Sequence, residues 1–325
     1  MILVTGGTGL VGAHLLRQLI EQQKHPIRAI KRNSSRMDLV ADIEDQIEWF
    51  QADILEVENL RAAMVGVSKI YHCAAVIAFD SKQYEWMHRV NVEGTANVVN
   101  LALEEGVQKL VHVSSIAAIG RSERNNRVSE NTKWEDSPNN SQYAISKYRG
   151  EMEVWRGAAE GLNVVIVNPS VIIGEGYWNE GSSQLISKVA KGLPFYPAGG
   201  TGFVDVKDVV EAMIGLMDSK VGNERFILNG INTTYQDFFT QVAVKFGKKP
   251  PRFKINPLIA AISWRLAKPL SWITRKAPLI TKETAQLMQS RYFYDNSKIQ
   301  KMIGFKFRSF EDTLRRIAKN FPKEG

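Results

Sequence analysis

The sequence is poor in cysteine and in long apolar runs. Its single cysteine, Cys73, cannot form an intramolecular disulfide, which excludes a disulfide-stapled domain and indicates a reducing compartment. The longest apolar stretch near the C-terminus, residues 255–264, is uncharged for ten residues, whereas a membrane-spanning helix needs about 20. We therefore predict a cytoplasmic protein without a spanning segment.

The sequence also has only a small excess of positive over negative side chains. Lys and Arg number 42 and Asp and Glu 34, so the net charge is +8 over 325 residues. No nucleic-acid-binding motif accompanies this modest surplus, and no His, Cys or carboxylate cluster has metal-ligand spacing, so we expect neither nucleic acid nor metal. The 44% hydrophobic and 23% charged content is typical of globular proteins and excludes a disordered chain.

Short apolar runs alternate with helical periods over the first 170 residues. We predict strands over 2–5, 27–30, 47–51, 69–75, 109–113 and 164–167, and helices over 10–22, 57–65, 84–105 and 143–157. This alternation indicates an α/β protein of the Rossmann type, with a doubly wound parallel sheet covered by helices on both faces. Ligands of such sheets bind at the carboxyl ends of the strands.

The second half is less regular and predicts a smaller C-terminal substrate-binding domain. The dinucleotide-binding domain spans 1–170, with 203–222 docking back on it, and the substrate-binding domain comprises 171–202 and 223–325. Residues 179–183 and 194–202 are predicted loops, and helices are predicted over 204–217, 234–246 and 309–320. Thr234 and Asp237 are predicted to form a capping box.

Glycines mark the junction between the first strand and the first helix. Gly6, Gly9 and Gly12 permit a tight turn, close approach of the backbone to a pyrophosphate, and close packing of the helix. The helix N-terminus adds free N–H groups and a positive dipole for the phosphates. No Gly-Lys-Ser/Thr follows, which excludes a Walker-type loop. The order of strand, glycines and helix therefore predicts a dinucleotide site.

The end of the second strand lacks the carboxylate that would bind the ribose 2′-hydroxyl of NAD. Lys31 and Arg32 stand there instead, followed by the hydroxyls of Ser34 and Ser35. Because a guanidinium can pair bidentately with a phosphate, we favour NADP over NAD. The 2′-phosphate is expected near Arg32, with help from Lys31 or the two serines.

Tyr143 and Lys147 lie four residues apart, on one face of a predicted helix. A free phenol has a pKa near 10 and is a poor acid or base at neutral pH, but a nearby ammonium favours the phenolate and lowers that pKa. The pair follows Ser114 and Ser115, which stand at the end of a predicted strand. A serine hydroxyl there can hold a carbonyl oxygen while the tyrosine delivers the proton.

These motifs resemble those of the extended short-chain dehydrogenase/reductases, within the NAD(P)-dependent epimerase/dehydratase superfamily. The branch in question holds dihydroflavonol-reductase-like enzymes together with sugar-nucleotide epimerases and dehydratases. The resemblance covers nearly the whole chain, because its motifs occur in the family's order. They are the glycine turn at 5–12, Asp53-Ile54, the segments 72–75 and 91–95, Asn168-Pro169-Ser170, and the segments 204–208, 294–298 and 303–305.

The resemblance implies that Ser115, Tyr143 and Lys147 are the catalytic residues. Ser115 is preferred to Ser114 because Gly120 follows it by five residues, as the family spacing expects. The cofactor site combines the strand ends with the first turn of the helix. Its predicted residues are Gly6, Thr8, Gly9, Leu10, Val11, Gly12, Lys31, Arg32, Asp53, Ile54, Ala74, Ala75, Ser114, Tyr143, Lys147, Asn168 and Ser170.

Two reaction classes follow from this resemblance. The favoured one is reduction of a ketone or aldehyde by NADPH, with Tyr143 as proton donor, and the alternative is a sugar-nucleotide epimerase or dehydratase with tightly held NAD(P). Such epimerases commonly carry an Arg just before the aromatic residue of the 203–208 motif, whereas Thr201 and Gly202 precede Phe203 here. A non-enzymatic nucleotide sensor is a third class, disfavoured because all three catalytic residues are present.

Residues 252–282 are basic and are interrupted by prolines. We expect them to pack within the substrate domain. The less favoured alternative is peripheral membrane contact, through a helix that presses Trp264, Leu270 and Trp272 into the interface. The expected partner is a small-molecule carbonyl substrate. The sequence does not decide whether the protein forms a homodimer.

Overall fold

The structure, a computed structural model, describes residues 1–78, 80–120, 126–138, 140–255 and 288–322. Seven strands form one parallel sheet in the order β11-β7-β5-β4-β1-β2-β3. This confirms the predicted fold class. The strands are β1 Ile2–Thr5, β2 Ile27–Lys31, β3 Glu48–Gln51, β4 Lys69–His72, β5 Lys109–Val113, β7 Val164–Pro169 and β11 Glu224–Leu228.

Helices cover both faces of this sheet and bury two apolar cores. The first core includes residues of α1 (Leu10–Glu21) and α7 (Val206–Asp218), which also contact each other. The second core includes residues of α2 (Val57–Met64), α4 (Gly94–Glu104) and α5 (Gln142–Ala159). Strand order reverses between β1 and β4, so the crevice at their carboxyl ends is the expected ligand site.

The predicted boundary of the substrate domain at residue 223 is wrong at one strand. Strand β11 pairs in parallel with β7, and its Phe226 and Leu228 lie in the first core. Without β11, the outer edge of β7 would be left without a neighbouring strand. Segment 203–222 supplies α7, which packs on the same sheet. The dinucleotide-binding unit is therefore built from two separate stretches of the chain.

The helix predicted over 84–105 contains a wider turn. Helix α3 (Tyr84–His88) leads into a π-helical turn at Arg89–Glu93 and then into α4. Asn91 lies in this turn and exchanges two hydrogen bonds with the backbone of Val76, at 2.8 and 2.9 Å. The carbonyl of Asn91 also lies so close to α5 that a Cβ at Gly150 would be 2.2 Å from it.

The C-terminal unit has its own small sheets and aromatic core. Phe203 and Phe238 stack with ring centroids 3.9 Å apart, and both side chains are buried. The strands are β8 Val171–Ile173, β10 Gly200–Asp205 and β12 Ile231–Thr234 in one sheet, β9 Phe195–Pro197 with β13 Phe253–Ile255, and β6 Arg127–Val128 with β14 Phe293–Tyr294. The helices are α6 Ser183–Ala190, α8 Tyr235–Lys245, α9 Ser297–Ile303 and α10 Phe310–Asn320.

The prediction of a loop over 194–202 is wrong, because β9 and the start of β10 occupy it. The helix predicted from residue 204 begins at 206, where the Asp205 carboxylate accepts a hydrogen bond from the amide of Lys207 at 2.8 Å. The predicted capping box of α8 is confirmed for its Thr234 half, whereas the Asp237 carboxylate binds the Thr234 hydroxyl. Thr234 Oγ1 accepts from the amide of Asp237 at 3.0 Å and donates to its carboxylate at 2.6 Å.

Most of the basic segment 252–282 lies outside the described residues, and so does the hypothesis of a membrane-interface helix within it. Across the ranges that the structure describes, no helix combines the length and the apolar character needed to cross a bilayer.

Candidate active site

The glycine turn is closed on itself by backbone contacts. Gly6 has a φ of +67°, and a side chain there would lie 2.7 Å from the amide of Ala74. A Cβ at Gly12 would lie 2.2 Å from the carbonyl oxygen of Gly6, so only glycine permits this packing. In the described chain no side chain caps α1, which begins directly after Gly9. Its first N–H groups are therefore left for an anion such as a pyrophosphate.

Gly12→Ala is expected to distort this turn and weaken dinucleotide binding. Alanine favours a helix interior over glycine by about 1 kcal/mol, but here overlap with Gly6 should reverse the sign and destabilise the protein by about 1–3 kcal/mol. Gly215→Ala, in helix α7, is the matched control, because its Cβ meets Ile303 at an ordinary 3.6 Å. Thermal unfolding and NADP titration of both variants measure the difference; equal behaviour of the two would contradict the prediction.

A chain of hydrogen bonds ties the glycine turn to the end of β4. The amide of Ala74 donates to Thr5 Oγ1 at 3.2 Å, and the Thr5 hydroxyl lies 2.7 Å from His72 Nδ1. His72 Nε2 lies 3.0 Å from Thr95 Oγ1, whose hydroxyl donates to the carbonyl of Asn91 at 2.8 Å. The Thr95 oxygen can therefore only accept from the ring. This assigns a neutral His72 protonated on Nε2, and burial lowers the pKa of His72 to about 3.

Ser115, Tyr143 and Lys147 meet at the carboxyl end of β5, where the sequence placed them. The Tyr143 hydroxyl is hydrogen-bonded to the side chain of Ser115. Ser115 Oγ also accepts from the amide of Ala117 at 3.1 Å, which fixes its position at the start of a short helical turn. The Lys147 ammonium is buried and donates to the carbonyl of Val113 at 2.8 Å.

The expected lowering of the Tyr143 pKa is wrong for the protein without cofactor. Burial raises the pKa of Tyr143, and its hydrogen bond with Ser115 offsets this only in part. The Lys147 ammonium donates to the Val113 carbonyl, and its charge is not among the causes of the shift in the Tyr143 pKa. Burial also lowers the pKa of Lys147 to about 8, against the opposing charge of Glu151. Tyr143 therefore carries its proton at neutral pH, as a proton donor must.

Glu151 is a residue of this region that the sequence reasoning missed. It is fully buried one turn after Lys147, and its carboxylate accepts from the Ser114 hydroxyl at 2.6 Å and from Asn168 Nδ2 at 2.7 Å. Arg225 of β11 completes an ion pair with it at 3.1 Å. Its spacing of four from Lys147 is the signal that could have singled it out.

Two buried polar atoms lie at the end of β7 without a partner in the part of the chain that the structure describes. Among the described residues, neither Asn168 Oδ1 nor Ser170 Oγ has a hydrogen-bond partner, although both atoms are buried. Buried polar groups in proteins are nearly always paired. The two unpaired atoms, the glycine turn and the uncapped helix together fit a dinucleotide at this edge of the sheet.

A model of the NAD dependent epimerase/dehydratase family matches residues 2–229, which contain all of these elements. The chain belongs to this family. Its similarity to a protein of Synechocystis sp., provisionally named a dihydroflavonol 4-reductase, is 30% identity over 99% of this chain and 94% of the relative. The predicted resemblance is therefore confirmed, and the chain is an enzyme of the NAD(P)-dependent extended short-chain dehydrogenase/reductase type.

Solved structures agree with the fold. The crystal structure of gox2253 superposes with a TM-score of 0.83 at 30% identity, and the match covers 98% of this chain and 97% of that one. The dTDP-glucose 4,6-dehydratase DesIV of Streptomyces venezuelae, with NAD and TYD bound, has a TM-score of 0.79 at 20% identity. That match covers 98% of this chain and 95% of DesIV, and shows the shared fold alone.

Lys31 and Arg32, the two cations predicted for the 2′-phosphate, differ in their surroundings. Lys31 Nζ lies 3.4 Å from a carboxylate oxygen of Glu44 and 5.6 Å from the ring centre of Trp49. The Arg32 side chain is exposed, and its amide donates to Ser35 Oγ at 3.0 Å. Only Arg32 is therefore placed to approach a ligand without first breaking an ion pair.

Arg36 is a further cation near this point that the sequence reasoning did not assign. Its guanidinium lies 3.8 Å from the ring centre of Tyr177 and 2.9 Å from a Glu180 oxygen. These contacts join the loop after β2 to the loop after β8.

The other predicted cofactor residues of this family member occupy the strand ends. Asp53 follows β3, and its Oδ1 accepts from the amide of Leu55 at 3.0 Å. The Ile54 side chain is buried where a Cβ at Gly94 would meet it at 2.5 Å, and its carbonyl accepts from Asn97 Nδ2 at 2.9 Å. Ser114 and Asn168 turn their hydrogen-bond donors to Glu151 instead. Thr8, Leu10, Val11, Ala74 and Ala75 lie in the turn, at the start of α1 and after β4.

Proposed function

We propose that this enzyme is an NADP(H)-dependent oxidoreductase that reduces a ketone or aldehyde of a small organic substrate. The observation that carries the proposal is the hydrogen bond between Ser115 and a Tyr143 whose pKa is raised by burial. A phenol that keeps its proton and lies beside a second hydroxyl suits a carbonyl oxygen that gains a proton.

The two hydroxyls have different roles in this reaction. Ser115 is held by the amide of Ala117, so it binds and orients the carbonyl oxygen. Tyr143 donates its proton to that oxygen as negative charge develops there. Lys147 lies one turn further along α5, and its buried positive charge stabilises the phenolate that Tyr143 becomes.

The residues present fit NADP(H), which would supply the hydride when bound. The glycine turn and the N-terminus of α1 would hold the pyrophosphate, and Asp53 with Ile54 the adenine. Asn168 Oδ1 and Ser170 Oγ would receive hydrogen bonds at the nicotinamide end. Arg32 would pair with the 2′-phosphate.

Arg32→Ala is expected to weaken NADP binding and leave NAD binding unchanged. A hydrogen bond to a charged group contributes about 1.5–3 kcal/mol, which corresponds to a loss of about 10–100-fold in affinity. Isothermal calorimetry with NADP and NAD measures both affinities. Arg61→Ala is the control, because Arg61 forms a surface ion pair with Glu104 at 2.6 Å. Tighter binding of NAD than NADP by the wild type would contradict the cofactor proposal.

The reaction class is tested by following NADPH oxidation with a panel of aldehydes, ketones and sugar nucleotides. We expect stoichiometric NADPH consumption with a carbonyl compound. Conversion of a sugar nucleotide without net NADPH consumption would establish the epimerase or dehydratase instead. The relative provisionally named as a dihydroflavonol reductase and the absence of Arg at Thr201 and Gly202 favour the reductase.

A further inference from the structure

The buried carboxylate of Glu151 is held by four hydrogen-bond donors, from the end of β5, from β7, from β11 and from α5 itself. Besides Ser114 and Asn168, Arg225 Nη1 lies 3.1 Å and Trp155 Nε1 3.3 Å from its Oε1. The side chain is 0% exposed, and a buried carboxylate costs free energy unless it is fully bonded and charge-paired. All of its acceptor sites are directed at the protein, so it does not contact a reacting atom.

These bonds fix the strand end that carries the catalytic serine. The Val113 carbonyl accepts from Lys147 at 2.8 Å, and the Ser114 hydroxyl donates to Glu151 at 2.6 Å. The Ser115 carbonyl accepts from Asn168 Nδ2 at 3.0 Å, and the same Asn168 amide group donates to Glu151 at 2.7 Å. The last residue of β5 and the two residues after it are thus tied to α5 and β7. Ser114 bonds to Glu151 directly, and Ser115 is linked to it through Asn168.

We infer that Glu151 is a positioning residue: it fixes the end of β5 that presents Ser115 to Tyr143, and it supplies the negative charge beside Lys147. The inference rests on the roles proposed above for those three residues.

The charges around the pair support the second half of this inference. Burial lowers the pKa of Lys147 to about 8, and the charge of Glu151 opposes that shift. Removing the carboxylate would leave the two cations Lys147 and Arg225 without it and lower the Lys147 pKa further. The titratable groups around the pair are His72 and Cys73 at the end of β4, His112 of β5, Arg225 of β11, and Tyr143 of α5.

Glu151→Gln retains the size of the side chain and removes its charge. With NADPH and the best carbonyl substrate, we expect kcat to fall by about 10–100-fold, because small displacements of catalytic groups cost up to about 10² in rate. The KM for NADPH should stay close to that of the wild type. The alkaline limb of the pH–rate profile should move to lower pH, since Lys147 loses its proton more easily.

Two further variants separate geometry from charge and protect the test against misfolding. Glu151→Asp keeps the charge but shortens the reach, so kcat should fall while the alkaline limb stays in place. Ser114→Ala removes one donor without stranding a charge and should give a smaller fall with no shift. Glu153→Gln is the matched control, because Glu153 lies on the same helix and pairs with Arg156 at the surface, at 2.9 Å.

Hydrogen exchange gives a readout that needs no substrate. The amides of residues 113–116 should exchange faster in Glu151→Gln than in Glu153→Gln, while the other strands of the sheet stay protected. A variant that only unfolds at lower temperature, with wild-type kcat, pH limb and local exchange, would reduce Glu151 to a structural role and overturn the inference.

The same assay separates this inference from the proposed function. If Tyr143→Phe is inactive and Glu151→Gln behaves as the wild type, the positioning role fails and the proposed function stands. If Tyr143→Phe keeps its activity, the proposed function itself fails.

Discussion

Tyr143→Phe is expected to lower the rate of carbonyl reduction by about 10²–10⁴, which is the usual contribution of a positioned proton donor. The phenyl ring fills the space of the tyrosine ring, so the fold and the affinity for NADPH should be nearly unchanged. Tyr148→Phe is the matched control, because Tyr148 lies on the same helix and stacks on Trp134 with ring centroids 4.3 Å apart. Wild-type turnover in Tyr143→Phe would refute the assignment of the donor.

The pH profile of the wild type gives a second check on this donor. Lys147 has a pKa of about 8 because it is buried, so its positive charge is lost as pH rises through that value. The rate of reduction should therefore fall on the alkaline side near pH 8, below the range in which a free tyrosine titrates. His72 cannot substitute as donor, since it is 0% exposed and both of its ring nitrogens are already hydrogen-bonded.

Acidification should destabilise the folded protein steeply between about pH 6.5 and 3. Burial, helped by the charge of Lys147, lowers the pKa of His72 to about 3 and that of His112 well below its usual range. In the unfolded chain both rings bind protons near pH 6.5, so the unfolded state holds more protons throughout this window. The free energy of unfolding should fall with decreasing pH by up to about 1.4 kcal/mol per unit for each histidine.

His112→Leu isolates one of these contributions. In the described structure both His112 nitrogens are buried without a hydrogen-bond partner, so an apolar side chain should be neutral or stabilising at pH 7. Urea unfolding at several pH values should show a shallower loss of stability on the acid side. His88→Gln is the control, because His88 is only partly buried and meets Arg149 at 3.2 Å. An unchanged acid slope in His112→Leu would show that other groups dominate.

The parallel sheet could be predicted because its signals are local. Each apolar run that ends at a polar or glycine residue became a strand within a few residues of its predicted bounds, as β1 and β5 show. Strand β10 was missed because Gly200 and Gly202 suggest a loop. They are glycines because the space beside them is taken: a Cβ at Gly202 would lie 2.1 Å from the side chain of Asn229. Such long-range crowding is not visible in the local sequence.

In the candidate site, too, local signals could be predicted and contacts with distant residues could not. The spacing of Tyr143 and Lys147 predicted which residues meet at the end of β5, because one helix carries both. It could not predict that Ser114 would turn its hydroxyl to Glu151, since a strand end can present either neighbour to the ligand. Glu151 itself has the sequence of a solvent-facing helix residue. Its buried carboxylate is paired with Arg225 of β11, which comes from a distant part of the chain.

Strand β11 also bears on how the chain reaches this structure during synthesis. The edge of β7 and the charge of Glu151 stay uncovered until β11 has left the ribosome, and the apolar face beneath α7 stays uncovered until residue 218 has done so. At about 5–20 residues per second, the interval between β7 and β11 lasts on the order of seconds. We therefore expect that residues 1–170 alone do not fold autonomously. A fragment cut there should expose an unpaired strand and aggregate, whereas one extended past β11 contains every strand of the sheet.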